Sequence, residues 1–567
     1  MTEPALRFAA IPEEHPRDRW LRTIRALALA PREAAAILRA RLSGKRVRAR
    51  QALAALVGLD HRGLWSGPGR LAGRPAPVPA SEASAVDIRL ASELERAGSA
   101  PLLILTAPGH TLLPGAVALI QAAFADDPTR QALYGDALLL RADGAAMPLL
   151  RPAFDRDYLM AVDYIGPVVA LRRSGLAALA ARAAVPPPEG ATDLILRLAD
   201  HFGAGTIGHL PRLLSQSGMA STGPNDPHRD TTRRASDPEG EGGHAPHRAV
   251  IRRALDRTGH SDVAIEVGPD GVLTLRHPLP PERPLVSLIV PTRDRLDLLR
   301  PCIASLSERT DWPAREILIC DNDSREPETH AYFRDLAGRG LARIVACPGP
   351  FDFAAMNNAA ARAARGRVLA FVNNDVAAIH PDWLERMVRV ALRPDVGAVG
   401  AKLIDGQGRI QHGGVLLGPG GLVTHAHRFF PGDALGYLGS LSATRAVSAV
   451  TAACLVVEAD KFAEVHGFDG EAFAVDFNDV DLCLRLDRAG YRTLFVPGAV
   501  LHHFEAASRR WTPQARERHL REVAAFKKRW GPLLAQDPHY HPGFDPDLGT
   551  HARLRLGWPE TGPVSPR

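Results

Sequence analysis

The sequence predicts an α/β protein whose C-terminal half holds a mostly parallel sheet flanked by helices. Short apolar runs rich in β-branched residues occur at 286–290, 316–320 and 367–372, and helical patterns separate them. This alternation is typical of βαβ units around a buried parallel sheet. The chain has 567 residues, and one hydrophobic core stops growing at about 250–300 residues. We therefore expect at least two domains.

The N-terminal segment from Arg17 to Leu56 is rich in Ala, Leu and Arg, with apolar residues at helical spacing. This pattern predicts two or three helices. Their basic faces could make a peripheral contact with an anionic membrane surface, but the solvated face of a small helical bundle is the commoner explanation. A Pro/Gly/Ser-rich break follows at 61–84.

The next segment alternates between strand and helix patterns. We expect strands at 100–106 and 137–140, and helices at 116–125 and 194–199. Residues 221–246 are polar and Gly/Pro-rich, which predicts a linker. A short helix at 248–257 and a hairpin turning at 268–271 come before the main sheet. The predicted domain boundaries are 1–80 (helices and linker), 81–220 (α/β), 221–280 (linker, helix and hairpin), 281–515 (main α/β domain) and 516–567 (helix and tail).

Composition restricts the function class. The net charge of +6 is small, and no basic stripe interleaved with aromatic residues lies outside the N-terminal helices, so we expect no nucleic-acid partner. The five cysteines are odd in number and lack zinc or redox spacing. Acidic residues precede any apolar stretch, and no run of about 18 apolar residues exists. These features predict a cytoplasmic protein.

Polar residues follow all three predicted parallel strands, at 291–294, 321–324 and 373–375. Ligands of open parallel sheets bind at the carboxyl ends of the strands. A single aspartate at such a position is better explained as a helix or turn cap, and this holds for each of Asp294, Asp321 and Asp323 considered alone. Because all three strand ends are polar, a binding site is favoured.

The sequence contains neither a GxGxxG run after the first strand nor a GxxxxGK[ST] motif, so it supports neither a dinucleotide site nor a P-loop. A nucleotide would then be held by carboxylates and by a divalent cation on its diphosphate. Asp375 can supply one oxygen ligand to Mg²⁺ or Mn²⁺, since these ions often take one or two carboxylates together with phosphates and water.

Five segments carry a family resemblance, at 284–306, 316–324, 349–376, 448–469 and 477–492. In this order they resemble the family 2 inverting glycosyltransferases with the GT-A fold. The similarity is greatest to bacterial enzymes of O-antigen and capsule assembly, rhamnosyltransferases among them. The resemblance implies a UDP-, dTDP- or GDP-sugar donor, a glycan or lipid-linked glycan acceptor, and Mn²⁺ or Mg²⁺.

The resemblance also implies residue roles on the donor side. Thr292 and Asp321 match positions that contact the nucleotide base. Asn374 and Asp375 match the end of a DxD-like motif whose last carboxylate binds the metal. The remaining strand-end residues expected to line the nucleotide-sugar site are Pro291, Arg293, Asp294 and Asn373.

A late histidine completes the metal shell in related enzymes, and either His502 or His503 matches it. Both follow a strand-like run, so one could point inward and the other outward. Metal-site chemistry does not distinguish the two from sequence. The sequence also departs from the family pattern, because the metal motif has a single carboxylate.

Asp479 matches the catalytic base, although the usual Glu before it is Asn478. Inversion requires a carboxylate that takes a proton from the acceptor hydroxyl, and a position in the first turn of a helix favours the ionised form. The alternative is a first-turn helix charge, with Asp481 pairing with Arg485 at i+4. Asp481 is also a weaker candidate for the base.

The segments 400–421 and 425–428 resemble acceptor-side loops of the same family. His412 lies in the first of them, and we assign it to the acceptor side together with Asp481 and Arg485. The spacing of His425 and His427 suggests a metal site, but without a neighbouring carboxylate or Cys a substrate-lining or structural role is favoured.

Residues 100–219 resemble the second half of another GT-A domain, through the segments 102–120 and 151–176. Ala107, Pro108 and Gly109 stand where the metal carboxylates would be. We therefore expect a degenerate, noncatalytic domain.

Two other functions compete with a glycosyltransferase. A noncatalytic glycan-binding scaffold would not need Asp321, Asp375 and Asp479 together. A sugar nucleotidyltransferase would need a glycine-rich loop after the first strand, and the run from Pro291 to Arg295 has no glycine.

Overall fold

The computed structural model describes residues 16–58, 86–90, 99–140, 146–181, 190–217, 245–504, 512–546, 548–549, 551 and 553–555. The chain divides into two compact units. The first unit contains Met1–Leu275, Leu435–Ser440 and Pro538–Arg567, and the second contains Arg276–Ala434 and Leu441–Asp537. The predicted linkers at 61–84 and 221–246 fall almost wholly outside the described residues.

The first part of the chain contains eight described α-helices and nine described strands. The helices are α1 (Pro16–Leu29), α2 (Pro31–Leu42), α3 (Arg46–Gly58), α4 (Ala116–Asp126), α5 (Arg156–Ala161), α6 (Arg173–Ala180), α7 (Gly190–Phe202) and α8 (Ala245–Arg257). The strands are β1 (Val86–Leu90), β2 (Leu102–Thr106), β3 (His110–Leu112), β4 (Ala132–Leu140), β5 (Ala146–Leu149), β6 (Val168–Arg172), β7 (Ile207–Ser217), β8 (Ala264–Val267) and β9 (Leu273–Arg276).

The sheet of the first unit runs in the order β1-β2-β6-β4-β7-β3, and β5 pairs with β4. The pairs β1–β2 and β4–β7 are parallel, and the others are antiparallel. Its core includes Ile104, Ile120 and Leu133, all fully buried. A separate hairpin, β8–β9, turns at the predicted residues 268–271.

The second part of the chain contains seven α-helices and twelve strands among the described residues. The helices are α9 (Leu296–Glu308), α10 (Pro327–Gly338), α11 (Phe353–Ala363), α12 (Trp383–Ala391), α13 (Ala459–Glu464), α14 (Asn478–Arg488) and α15 (Pro513–Trp530). The strands are β10 (Val286–Thr292), β11 (Arg315–Asp321), β12 (Arg343–Ala346), β13 (Val368–Val372), β14 (Val376–Ala378), β15 (Val396–Ile404), β16 (Ile410–His412), β17 (Val415–Leu417), β18 (Val423–His425), β19 (Arg445–Ala446), β20 (Cys454–Glu458) and β21 (Arg492–His503).

The main sheet of the second unit runs in the order β12-β11-β10-β13-β20-β15-β21-β14. Strands β10 to β13 are mutually parallel, as the apolar runs predict, and β15 is parallel to β21. Strand β20 runs antiparallel between β13 and β15, and β14 is antiparallel to β21. Its core includes Leu288 and Val372 from the sheet and Trp383 from α12, all buried. The α/β class is confirmed. Among the described residues the sheet is mixed, because four of its nine strand pairings are parallel and five are antiparallel.

The two sheets share a sequence of strand pairings. In the first unit the order β2-β6-β4-β7-β3 pairs as antiparallel, antiparallel, parallel and antiparallel. In the second unit the order β13-β20-β15-β21-β14 pairs in the same way. Strands β11 and β12 have no counterpart in the described residues of the first unit. The first unit therefore resembles the later half of the second, as the sequence led us to expect.

The described helices were also compared with the dimensions of a bilayer. None of them is both long enough and apolar enough to cross a membrane.

Candidate active site

The carboxyl ends of β10, β11 and β13 meet at one edge of the second sheet. Thr292 and Asp321 are direct neighbours in the β10–β11 register. The Asn374 side-chain amide donates a 2.9 Å hydrogen bond to the Thr292 hydroxyl, and the Asn322 N–H donates to the Thr292 carbonyl. The three polar strand ends predicted from sequence therefore lie together.

Asp294 orders a loop at this edge. Its carboxylate accepts hydrogen bonds from the backbone N–H groups of Arg325 and Glu326, just before α10, and its own N–H donates to Ser324. It occupies a left-handed conformation with φ of 51°, which Asp tolerates better than most residues. These contacts are the ones expected if Asp294 acts as a helix or turn cap. Pro291 is buried beside it, whereas Arg293 is exposed.

The acidic residues after β11 order neighbouring loops in the same way. The Asp321 carboxylate accepts from the Ser324 N–H, and the Asp323 carboxylate accepts from the Gly349 N–H. The second oxygen of a carboxylate still has lone pairs to offer. Asp321 can therefore keep this loop in place and bind a ligand as well.

Asp375 faces a histidine from another strand. Its Oδ1 lies 3.3 Å from the Nε2 of His503, but the two are not aligned as a hydrogen bond, and Oδ1 has no hydrogen-bond partner. Both side chains are buried. A buried carboxylate oxygen without a donor is costly. A carboxylate and an imidazole that face each other in this way suit a divalent metal such as Mn²⁺.

Strand alternation separates the two late histidines. In the β14–β21 register His503 lies opposite Val376, next to Asp375, and His502 lies opposite Ala377. Successive side chains on a strand point to opposite faces, and the His502 ring stacks on Phe504. Position in the sheet thus favours His503 over His502 as the ligand.

Asp479 lies in the first turn of α14, which begins after Phe477 at a left-handed φ of 65°. The Phe477 ring stacks on Phe526, so packing holds this uncommon conformation. The Asp479 carboxylate accepts from the N–H groups of Ala452 at 3.0 Å and Val480 at 2.9 Å. The side chain keeps part of its surface open to solvent.

The protein around Asp479 makes it a better base than a solvated aspartate. Burial raises the pKa of its carboxyl, while hydrogen bonds from Ala452, Val480 and Thr451 partly oppose the rise. A base with a higher pKa accepts a proton more readily.

Two adjacent residues before β20 connect Asp479 to the metal loop. The Ala452 N–H donates to Asp479, and the Ala453 carbonyl accepts from the Asn373 N–H. Asn373 is two residues from Asp375. The candidate base and the candidate metal ligand are therefore positioned by the same turn of backbone. Nothing in the sequence marks Ala452, because a backbone donor leaves no mark on residue type. Thr451 acts on Asp479 through its side chain.

Asp481 and Arg485 are committed to structural contacts. Asp481 is fully buried and accepts from Arg485, Arg529 and Trp530. Arg485 also donates to the carbonyls of Val465 and Gly467. The i+4 pair expected from sequence is present, but it is inside the unit and not at its surface. We do not carry these two residues into the proposed acceptor site.

The first unit contains an ion pair equivalent to that of Asp481 and Arg485. Asp193 and Arg197 form a buried i+4 ion pair near the start of α7, as Asp481 and Arg485 do near the start of α14. Counting back two residues from each aspartate, Ala191 stands where the second unit has Asp479. The first unit thus keeps the structural pair but lacks the base, and Gly109 follows β2 where Asp375 follows β13.

His412 is buried on β16 and contacts His425, with their Nδ1 atoms 2.8 Å apart. Its Nε2 has no hydrogen-bond partner. Burial, followed by unfavourable electrostatic interactions with His425 and His503, holds the pKa of His412 well below its ordinary value. His412 is therefore neutral at physiological pH.

A second group of potential metal ligands lies in the first unit. Asp136, His209 and His541 are buried, and one ligand atom from each lies within 4.8 Å of the others, close enough to share a metal ion. Sequence analysis missed this group because His541 is 405 residues from Asp136. No motif connects positions so far apart.

The hydrogen bonds favour a metal-free network for this group. The Gly543 N–H donates to the His541 Nδ1, so in the neutral ring the proton is on Nε2, which lies 2.8 Å from the Asp136 carboxylate. Burial raises the pKa of the Asp136 carboxyl, but its two histidine partners outweigh that effect and bring the pKa below its ordinary value. The network attaches the C-terminal segment to β4.

Comparisons with known proteins find a family that matches part of the second unit. Residues 287–418 match the family described as Glycosyl transferase family 2. The chain is 34% identical over 437 residues to the O-antigen biosynthesis protein RfbC of Myxococcus xanthus, a match that covers 76% of this chain and 33% of the relative. It is 44% identical over 262 residues to the uncharacterized protein y4gI of Sinorhizobium fredii, which covers 46% of this chain and 29% of that protein. The chain thus spans about a third of the length of these relatives.

Solved structures give weaker similarity. The mannosyltransferase PcManGT from Pyrobaculum calidifontis, in complex with GDP-Man and Mn²⁺, is 19% identical with a TM-score of 0.34, and the match covers 46% of this chain and 70% of that one. TarS 1–349 of S. aureus, in complex with UDP-GlcNAc, is 13% identical with a TM-score of 0.32, covering 43% and 66%.

Asp481 and Asp487, two of the three acidic residues of α14, should differ in their effect on stability. Asp481→Asn would leave Arg485 without its buried counter-charge and Arg529 with Asp469 alone, at a cost of about 3–5 kcal/mol. Asp487→Asn, on the exposed side of the same helix, should change stability by no more than about 0.5 kcal/mol. Urea unfolding of the purified variants measures both. Equal stability of the two variants would contradict the structural role of Asp481.

Asp136→Asn should lower the thermal unfolding midpoint, because it weakens the acceptor of two buried imidazoles. If the group is a hydrogen-bond network, EDTA treatment should leave the midpoint of the Asp375→Ala protein unchanged, since that background removes the other candidate metal site. A midpoint that EDTA lowers in Asp375→Ala, but not in the Asp136→Asn/Asp375→Ala double variant, would instead establish a metal at Asp136.

Proposed function

We propose that this chain transfers a sugar, with inversion, from a nucleoside-diphosphate donor, and the match of residues 287–418 to glycosyl transferase family 2 supports the proposal. The acceptor we propose is a glycan or lipid-linked glycan in cell-surface polysaccharide synthesis. The name of the M. xanthus relative, an O-antigen biosynthesis protein, supports this class of acceptor. The reaction would take place in the cytoplasm, at or near the inner face of the membrane.

One observation carries this proposal. A partly exposed carboxylate with a raised pKa, that of Asp479, and a buried carboxylate oxygen without a hydrogen-bond donor, Oδ1 of Asp375, are positioned by neighbouring residues of one backbone segment. Inverting transfer requires one base for the acceptor and one anchor for the leaving diphosphate. The arrangement of these two groups supports both needs.

Asp479 would act on the acceptor. Its carboxylate takes the proton of the acceptor hydroxyl as that oxygen attacks the anomeric carbon from the face opposite the leaving group. The N–H groups of Ala452 and Val480 fix the carboxylate, so little reorientation is needed during the reaction. The reaction inverts the anomeric centre and requires no covalent sugar–enzyme intermediate.

Asp375 and His503 would hold the divalent cation, Mn²⁺ or Mg²⁺. The fit rests on the 3.3 Å approach of an unpartnered carboxylate oxygen and an imidazole nitrogen in a buried place. When bound, the ion would stabilise the negative charge that develops on the leaving diphosphate.

The strand ends would bind the nucleotide. Thr292 and Asp321 are neighbours in the sheet, and we place the base and ribose against them. Asn374 positions the Thr292 hydroxyl. Arg293 is exposed beside them and suits an anionic phosphate, since its guanidinium presents a planar fork of donors. The donor would be a UDP-, dTDP- or GDP-sugar, with rhamnose among the candidate sugars.

The first unit would be noncatalytic. It has Ala191 and Gly109 where the second unit has Asp479 and Asp375. A role in packing, acceptor binding or partner contacts is compatible with the buried pairs that it retains.

Substitution of the two carboxylates should abolish turnover for different reasons. We expect Asp479→Asn to reduce kcat by about 10²–10⁴-fold, the usual contribution of a general base, with Mn²⁺-dependent donor binding unchanged. Asp375→Ala should instead weaken that binding. The measurements are nucleotide release from a panel of UDP-, dTDP- and GDP-sugars, and donor binding by calorimetry in the same samples.

The adjacent histidines provide a matched pair. His503→Ala should raise the Mn²⁺ concentration needed for half-maximal donor binding by at least about tenfold, and His502→Ala should leave it unchanged. Equal effects would remove the assignment of His503. Absence of any metal-dependent donor binding in the wild-type protein would remove the glycosyltransferase proposal itself.

The pH dependence should report the base. Asp479 must be ionised to accept a proton, so kcat/KM should fall as the pH drops through its raised pKa, above the value of about 3.9 for a solvated aspartate. If loss of metal causes the fall, its midpoint pH should shift when the Mn²⁺ concentration is raised tenfold. If protonation of Asp479 causes it, the midpoint pH should stay the same. An acid limb at or below the ordinary aspartate pKa would argue against Asp479.

A further inference from the structure

The N-terminal helices α1, α2 and α3 carry a concentrated positive charge. Residues 16–58 contain eleven Arg or Lys and two Asp or Glu, a net charge of +9, whereas the whole chain has +6. The remainder of the chain is therefore net negative. Basic side chains such as Arg25, Arg32 and Arg39 are exposed on these helices, and Lys45 is exposed between α2 and α3. A charge concentrated in one segment is typical of a surface that binds polyanions or anionic lipid.

The same helices expose large apolar side chains. Trp20 is 62% exposed, Leu29 75% and Leu42 79%. The remaining members of this set are Leu21, Ile24, Leu38 and Val47. Seven of the twelve large apolar residues that are exposed in the described part of the chain thus lie within 28 positions. Isolated exposed apolar residues need no explanation, but a group of them does.

The apolar side chains lie on consecutive helical turns. Trp20 and Ile24 are four residues apart on α1, and Leu38 and Leu42 are four residues apart on α2. Residues with this spacing lie on one face of a helix. Each helix therefore presents an apolar strip with arginines close by, the composition of helices that lie in the membrane interface.

We propose that α1 and α2 dock this chain on an anionic lipid surface, with the apolar side chains inserted among the acyl chains and the arginines on the lipid head groups. A second copy of this chain is a poor occupant, because two segments of +9 would repel each other. Nucleic acid would satisfy the arginines but would leave Leu29 and Leu42 exposed to water. An anionic bilayer satisfies both features.

The test is co-sedimentation of the full chain with vesicles. Wild-type protein should bind phosphatidylglycerol-containing vesicles and bind pure phosphatidylcholine vesicles much more weakly, and added salt should reduce binding. Leu38→Glu/Leu42→Glu should reduce the partition coefficient by at least about tenfold. The matched control is Leu520→Glu, at another exposed leucine, on α15, and it should bind as the wild type does. Circular dichroism of each variant checks the fold.

Three outcomes would overturn the proposal. The first is wild-type protein that does not bind anionic vesicles. The second is a double variant that binds them as well as the wild type and the control do. The third is binding to an RNA homopolymer that is tighter than binding to vesicles and insensitive to Leu38→Glu/Leu42→Glu, which would identify the basic segment as a polyanion site. Donor binding in solution should be the same for all variants, so failure of docking and failure of the transferase proposal remain distinguishable.

Discussion

The chemistry proposed for the second unit depends on two hydrogen bonds at the start of β20. The Ala453 carbonyl accepts from Asn373, where the loop that carries Asp375 leaves β13, and the Ala452 N–H donates to the Asp479 carboxylate. Because β13 and β20 pair directly, with Val372 opposite Cys454, both groups are fixed to the same rigid edge. Preorganisation of this kind is what a catalytic pair needs. The buried sheet thus controls the geometry of residues outside it.

Much of this arrangement could be predicted from the chain. The apolar runs locate β10, β11 and β13, and their polar ends locate the site, because the ends of parallel strands share an edge. The positions of Asp375 and Asp479 follow from motif order. The choice between His502 and His503 needed the register of β21 against β14. The sequence indicates that successive side chains of a strand point to opposite faces, but it does not indicate which of the two histidines lies on the side of Asp375.

The remaining features depend on contacts between distant positions. Asp481 looks like an exposed helix charge, yet α15 supplies Arg529 and Trp530, 48 and 49 residues away, and buries it. The first unit includes 435–440 and 538–567. The predicted boundaries place the first of these ranges in the main domain at 281–515 and the second in the separate C-terminal helix and tail at 516–567. The pairing of Asp136 with His541 illustrates the reason for this difference. A buried acceptor and its donor can be far apart in the sequence, so no local sequence pattern marks them. Local patterns therefore locate strands and motifs, but not the partners that bury a charge.

The limited negative charge around Asp375 bears on the order of binding. Asn373 and Asn374 are neutral where a second carboxylate could stand, and the imidazole of His503 adds no negative charge when it is a ligand. A divalent ion held by Asp375 and His503 alone would retain one net positive charge in a buried place, which is unfavourable. The diphosphate of a sugar nucleotide supplies the missing negative charge. It follows that cation and donor should bind with positive coupling, each raising the affinity for the other by the same factor.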